Sequence, residues 1–158
     1  MGIKVIVIDQ DRVSAKLGNR AARMRILATG VTAQLAVVQG AVVPLTPVGV
    51  TSNLRGSWHS DPVSVIGSKL IGVMGSPLIY SEVIERGRRA GAKMPPPAAL
   101  QTWVERKLGS GASAFVVARS IGRKGIKGRF MLSKAVALTA GLRAAIRART
   151  AAKLLDES

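Results

Sequence analysis

The sequence predicts an α+β fold, with a long N-terminal helix, a small antiparallel sheet and C-terminal helices. Three observations lead there. Apolar residues from Val13 to Val38 recur at steps of four and three, the spacing of one helix face. Short apolar runs between Val63 and Ile84 are punctuated by Gly and Pro, as hairpin strands are. The last third reads as helical and almost purely basic, with ten Lys and Arg between Arg119 and Lys153 and no acid. The 158 residues make one domain, 1–158, long enough to bury roughly two-thirds of the unfolded surface without a disulfide or metal staple.

Each element follows in order. Lys4 to Asp9 is a short strand rich in β-branched residues, with Asp9 placed to cap a helix. The helix face is Val13, Leu17, Ala21, Met24, Leu27, Val31, Leu35 and Val38, and Arg12, Lys16, Arg20 and Arg23 run beside it as a basic ridge. Gly30 and Gly40 weaken this helix, and Pro44 and Pro47 end it. Thr51 to Ser57 is turn-like, and Val63–Ile66, Leu70–Met74 and Leu78–Ile84 read as strands, the last able to turn helical at its end. Three prolines, Pro95 to Pro97, lead into a short helix closed by Gly109, with Trp103 expected as its core anchor. Ala112–Ile121 is a short helix, 122–129 a flexible basic loop, and Phe130–Leu155 a longer helix with a break at Gly141.

Composition narrows the function classes. Twenty-four Lys and Arg against 8 Asp and Glu give a net charge of +16, which calls for an acidic partner. With 47% hydrophobic residues the chain is folded rather than a basic tail. Zero cysteines exclude thiolate catalysis, cysteine-based zinc sites and redox switching. The apolar run in Met1–Asp9 is too short for a signal-peptide core, and Ile6 breaks the myristoylation pattern. Ile26 to Leu54 carries no charge, but Gln34 and Gln39 near its middle oppose a membrane span. A buried helix, and no membrane partner, is the expectation.

No catalytic constellation emerges. His59 is the single histidine, within Ser57–Asp61, and neighbours on an extended segment point to opposite faces. Glu82 and Glu85 are expected to pair with Arg86, Arg88 or Arg89. The glycine-rich stretch at 122–129 lacks the phosphate-loop spacing. No enzyme activity, metal or cofactor is expected. Nucleic acid remains open on charge alone, although Trp58, Tyr80, Trp103, Phe115 and Phe130, the only five aromatics, read as core anchors rather than stacking platforms. Any DNA contact would be to backbone without base readout.

Three segments carry a family resemblance. Pro47-Val48-Gly49-Val50-Thr51-Ser52-Asn53-Leu54-Arg55-Gly56-Ser57 resembles the proline, then threonine-glycine-x-leucine-arginine-x-serine segment of a family of long-tailed bacteriophage neck and tail-completion proteins, with Ser52 in place of glycine. Tyr80-Ser81-Glu82-Val83-Ile84-Glu85-Arg86-Gly87 is similar to that family's tyrosine and glutamate-x-glycine step, with Arg86 in place of an apolar residue. Gly128-Arg129-Phe130-Met131 resembles its proline-phenylalanine step before the terminal helix, Arg129 replacing the proline.

The resemblance implies a structural virion protein at the head–tail junction, without enzymatic activity. It implies a homo-oligomeric ring that joins head-closure or connector proteins to tail-terminator proteins around a channel for double-stranded DNA. DNA must slide through such a channel, so most basic surface is expected to face acidic protein neighbours. The candidate partner-binding residues are the ridge Arg12, Lys16, Arg20 and Arg23, the loop Arg86, Arg88, Arg89 and Lys93, and the loop Arg123, Lys124, Lys127 and Arg129. The alternative is a sequence-nonspecific basic nucleic-acid-binding protein.

Overall fold

A computed structural model describes residues 4–9, 20–49, 52–66 and 69–156. It is an α+β fold, as the sequence predicts. Strand β1, Lys4–Asp9, is followed by α1, Arg20–Leu45, and by a single helical turn α2, Asn53–Gly56. Three strands come next: β2, His59–Ser60; β3, Ser64–Ile66; and β4, Lys69–Gly75. All three partners of β4 are antiparallel to it: β1 along its whole length (Lys4 opposite Gly75, Asp9 opposite Leu70), β2 at Met74–Gly75 and β3 at Lys69–Ile71. Helix α3, Ser81–Arg86, and strand β5, Gly87–Arg88, precede a proline-led 3-10 turn, Pro97–Leu100, and α4, Gln101–Leu108. The chain ends with α5, Ala114–Lys124; β6, Ile126–Lys127; α6, Met131–Leu138; and α7, Ala140–Asp156.

The core is α1 laid across β4 and α6. Leu27, Val31, Leu35, Val38 and Val42, spaced by four and three, are all at most 2% exposed and join Leu70, Met74, Met131, Leu132 and Ala135. From Leu27 onward this is the stripe read from the sequence, continued one turn further; of its earlier members Met24 is half-buried against the core and Ala21, expected on the same face, is exposed. Its earlier turns, at Val13 and Leu17, lie outside the described residues. Helix and sheet meet closely at Gly72, where a Cβ would stand 2.7 Å from Val31 Cγ1 and 2.8 Å from Leu35 Cδ1. Helix α7 meets the neighbouring face of α1 at Gly30, against Thr150.

The two glutamines expected to oppose a membrane span are structural bridges. The Gln39 amide donates to the Trp58 carbonyl at 2.9 Å, and its oxygen accepts from Ser60 Oγ at 3.1 Å, tying α1 to β2. Buried Gln34 accepts from Arg147 of α7 at 3.3 Å. Trp58 is buried with its indole N–H on Thr46 Oγ1 at 2.8 Å, which itself donates to the Val42 carbonyl. Helix α1 is long and apolar enough, by length and composition, to cross a bilayer, and here its apolar stripe forms the centre of the core. On the opposite face, Thr29 and Thr32 hydroxyls bond back to the Arg25 and Ala28 carbonyls at 2.9 Å. The exposed positions of this face, Arg25, Thr29, Thr32 and Ala36, carry a single charge, that of Arg25.

Several elements depart from expectation. Helix α1 passes through Pro44 and ends at Leu45, because the turn Thr46 N–H to Val43 carbonyl at 3.2 Å closes it after the proline. Leu78–Ile84 is not a strand, and the helical alternative for its end is the one that forms: Ser81 begins α3, and Ile79 and Tyr80 stand exposed before it. The break in the last helix falls at Thr139, whose hydroxyl bonds back to the Ala135 carbonyl at 2.8 Å, and Gly141 continues the helix. Trp103 does not anchor α4. It is 42% exposed, and Val104 is the buried residue of that helix.

Two glycine substitutions separate close approach from intrinsic helix cost. Gly72→Ala should lower stability by about 1–3 kcal/mol, since Val31 and Leu35 are too well buried to move aside. Gly40→Ala, with nothing within 4 Å of its Cβ, should raise stability by about 0.5–1 kcal/mol. Urea unfolding followed by circular dichroism measures both.

Candidate functional site

Eight of the candidate basic residues lie on or beside a two-stranded ribbon: Arg86, Arg88, Arg89, Lys93, Arg123, Lys124, Lys127 and Arg129. Strands β5 and β6 pair antiparallel, Gly87 opposite Lys127 and Arg88 opposite Ile126. Three glycines allow the chains to touch. At Gly125, with φ +74°, a Cβ would lie 2.2 Å from the Arg88 carbonyl oxygen. At Gly87, with φ +81°, it would lie 2.5 Å from that of Ile126, and at Gly128 it would lie 2.8 Å from the Arg86 carbonyl. No side chain fits any of these places. The stretch 122–129, expected as a flexible loop, is therefore the end of α5 followed by a paired strand. Its glycines serve close backbone approach rather than freedom.

A buried carboxylate holds the ribbon to the core. Glu85, 4% exposed, accepts from the backbone N–H of Leu132 at 3.0 Å, the N–H of Ser133 at 3.0 Å, and Ser133 Oγ at 2.9 Å. These are orphan donors in the first turn of α6, where negative charge is favoured. The Glu85 carbonyl also accepts from the Phe130 N–H at 3.0 Å, and that of Ile84 from Arg129 at 2.9 Å. Phe130 occupies the left-handed region, φ 53°, a costly place for a bulky side chain. The flanking bonds to Ile84 and Glu85 hold it there. Glu85 was expected to pair with Arg86, Arg88 or Arg89, and it pairs with none of them. Glu82 does meet Arg86, at 3.5 Å, one helical turn apart on the surface.

The candidate residues fall into distinct settings. Arg86, Arg89, Lys93, Arg123, Lys124, Lys127 and Arg129 are exposed, and Arg88 is half-buried with its guanidinium donating to the Lys93 carbonyl. The Gly91 N–H to Gly122 carbonyl bond, 2.9 Å, draws the 89–93 loop against the end of α5. The two loop clusters, far apart in sequence, thus share one structural unit. Among the described residues, Arg86 alone of these cations has an ion pair. Arg123 and Lys124 also sit in the last turn of α5, where cations oppose the helix dipole favourably.

The helix ridge is a correction. Arg23 is 6% exposed and its Nε is buried without a partner, so it is not on a solvent face. One helical step of four from Arg23 leads to Leu27, in the core, so Arg23 faces the same way as the packed stripe. Arg12 and Lys16 lie outside the described residues, and of Arg20 only its place at the start of α1 is described.

The remaining candidates assemble no reaction centre. His59 Nδ1 lies 3.0 Å from the Ser57 carbonyl oxygen and Nε2 lies 3.6 Å from Asp61, both side chains about half exposed. Among the described residues no three His, Asp or Glu come together to hold a metal ion. The aromatic expectation is overturned: Trp58 is buried, but Tyr80, Trp103, Phe115 and Phe130 are 42–52% exposed. Composition does not tell which aromatics face inward, and here smaller residues fill the inner positions. No family model matches the chain, and neither a curated protein nor a solved structure does.

The cap gives a direct test. Glu85→Ala should lower stability by about 2–3 kcal/mol, since it strands buried N–H groups at the start of α6. Glu82→Ala, removing a solvent-exposed pair, should cost less than about 1 kcal/mol. Chemical unfolding of the two variants compares them under one condition.

Proposed function

We propose that this chain is a structural protein of the head–tail junction of a tailed bacteriophage. It assembles as a ring of identical copies that joins head-closure or connector proteins to tail-terminator proteins around the DNA channel. The observation that carries this reading is the union of two of the three resembling segments. Tyr80–Gly87 and Gly128–Met131 are more than forty residues apart in sequence, yet Glu85 of the first caps the helix that the second begins. The similarity therefore falls on one interlocking device, in which each quoted Glu and Gly has a physical task. In the other segment, Leu54 is buried and Ser57 bonds Ser76 at 2.7 Å.

The surface suits assembly. The ribbon offers cations on a backbone already fixed, so an acidic neighbour would meet them without ordering a loop first. Copies each carrying +16 repel at their basic faces, and the outward side of α1, almost without charge, gives them a surface on which to approach. Basic groups directed at acidic protein neighbours leave the DNA free to slide.

One observation favours a second reading, a sequence-nonspecific nucleic-acid-binding protein. Four aromatics stand exposed on a chain whose exposed Lys and Arg, Arg86 apart, have no ion pair among the described residues, the ingredients of stacking and phosphate contact on a single strand.

The double variant Lys124→Glu, Lys127→Glu separates the two. It should fold with unchanged helix content and yield heads that fail to join tails, seen by electron microscopy of particles made with the variant. Normal tailed particles would exclude the junction role for these residues. Under the second reading, the wild-type chain binds nucleic acid tightly at moderate salt. The slope of log affinity against log salt then falls by about 0.7 for each single-strand phosphate that the variant no longer neutralises.

A further inference from the structure

Helix α5 is built inside out. Its inner face is Ala114 at 6% exposure, Ala118 at 0% and the buried Gly122, while Phe115 and Val116 on its outer side are 52% and 63% exposed. A Cβ at Gly122 would make ordinary contact with Met94, 3.4 Å away, so this inner face lies close against the segment before α4. The preceding helix does the same, burying Val104 and exposing Trp103 and Leu108 at 42% and 55%. Together α4 and α5 form a satellite whose buried residues do not join the main core cluster. Val117 and Ile121 are half-buried, but Trp103, Leu108, Phe115 and Val116 are turned to solvent, contrary to the burial that hydrophobic area favours.

Cations frame these side chains at helical spacing. Lys107 lies four residues after Trp103 and Arg106 three after it, on the same side of α4. Arg119 lies four after Phe115 and Arg123 four after that, so one outward line of α5 runs from aromatic to cationic and ends at the ribbon with Lys124 and Lys127. All six of these cations are exposed, and none has an ion pair among the described residues.

We infer that the outer face of α4 and α5, continuous with the basic ribbon, docks a protein segment that combines carboxylates with large apolar side chains. Aromatic anchors ringed by Arg are the composition of interface hot spots, and unpaired cations at i+4 demand carboxylates opposite them. A single-stranded nucleic acid would use the two aromatic rings but leave Val116, beside Phe115, in water. A protein segment covers the rings and the aliphatic side chain together. The inference rests on the proposed assembly role in one respect only, that the segment belongs to a neighbouring virion protein.

The test uses the full chain and a synthetic peptide of about four Glu-Leu-Glu-Phe repeats, with poly-glutamate of equal charge, a thymidine oligonucleotide and anionic phosphatidylglycerol vesicles as competitors. The peptide should bind at least about tenfold more tightly than poly-glutamate at physiological salt. Phe115→Ser should bring its affinity down to the poly-glutamate level, and Arg119→Glu should weaken both ligands, with helix content by circular dichroism unchanged in each. Equal binding of peptide and poly-glutamate would overturn the inference, as would tighter binding of the oligonucleotide or the vesicles, or a Phe115→Ser chain that binds the peptide as well as the wild type. A tagged copy located by gold label on particles tests the assembly role separately: peptide binding without label at the head–tail junction removes that role and leaves the docking face standing.

Discussion

The bond set around Glu85 is the constraint on which the outer half of the molecule depends. A carboxylate removed from water must be repaid by strong, well-directed donors. Here two backbone N–H groups and a hydroxyl of the α6 first turn provide them. One contact therefore solves two problems, the buried charge of Glu85 and the orphan donors of α6. It also fixes the exit of α3 relative to the start of α6, and the ribbon of β5 and β6 hangs from that junction. The same helix α6 contributes Met131, Leu132 and Ala135 to the core, so the basic surface is tied to the packed interior within three residues of the cap.

Behind this, α1 acts as the spine. Its stripe of Leu and Val is dry, and its neighbouring faces are specified by polar bonds, with Gln39 holding β2 and Gln34 meeting α7. Small residues decide how near the layers come. Gly72 admits the helix onto the sheet and Gly30 admits Thr150 of α7. By contrast, α7 contributes no buried residue. It is held by edge contacts along α1 and by the Arg143 guanidinium on the Val136 carbonyl at 2.7 Å. Stability is thus concentrated in the α1, β4 and α6 layers and declines outward to α7 and the α4–α5 satellite.

The legible parts of the sequence were those with a local cause. The α1 stripe follows from its spacing, the β3–β4 hairpin from two apolar runs separated by Gly67 and Ser68, and the start of α4 from its prolines. What was hidden depends on distant partners. Nothing beside Glu85 indicates that it caps a helix 47 residues later, and a carboxylate next to three arginines reads more readily as their counterion. The glycines at 125 and 128 look like flexibility until the opposite strand occupies the space where their side chains would be. Likewise the basic clusters at 86–93 and 123–129 were each visible, but their meeting was not. The buried Arg23 stands four residues before core Leu27 and the exposed Trp103 one before buried Val104, and composition cannot resolve such rotations around a helix axis.

The opposite settings of the two tryptophans give the molecule separate optical handles. Trp58, 4% exposed and hydrogen-bonded to Thr46, emits from the packed layer between α1 and the sheet. Trp103 emits from the partly wetted flank of the satellite. A soluble quencher reaches the second and not the first, so the fluorescence of the unmodified chain distinguishes an event at its surface from a loosening of its interior, without a dye or an added residue.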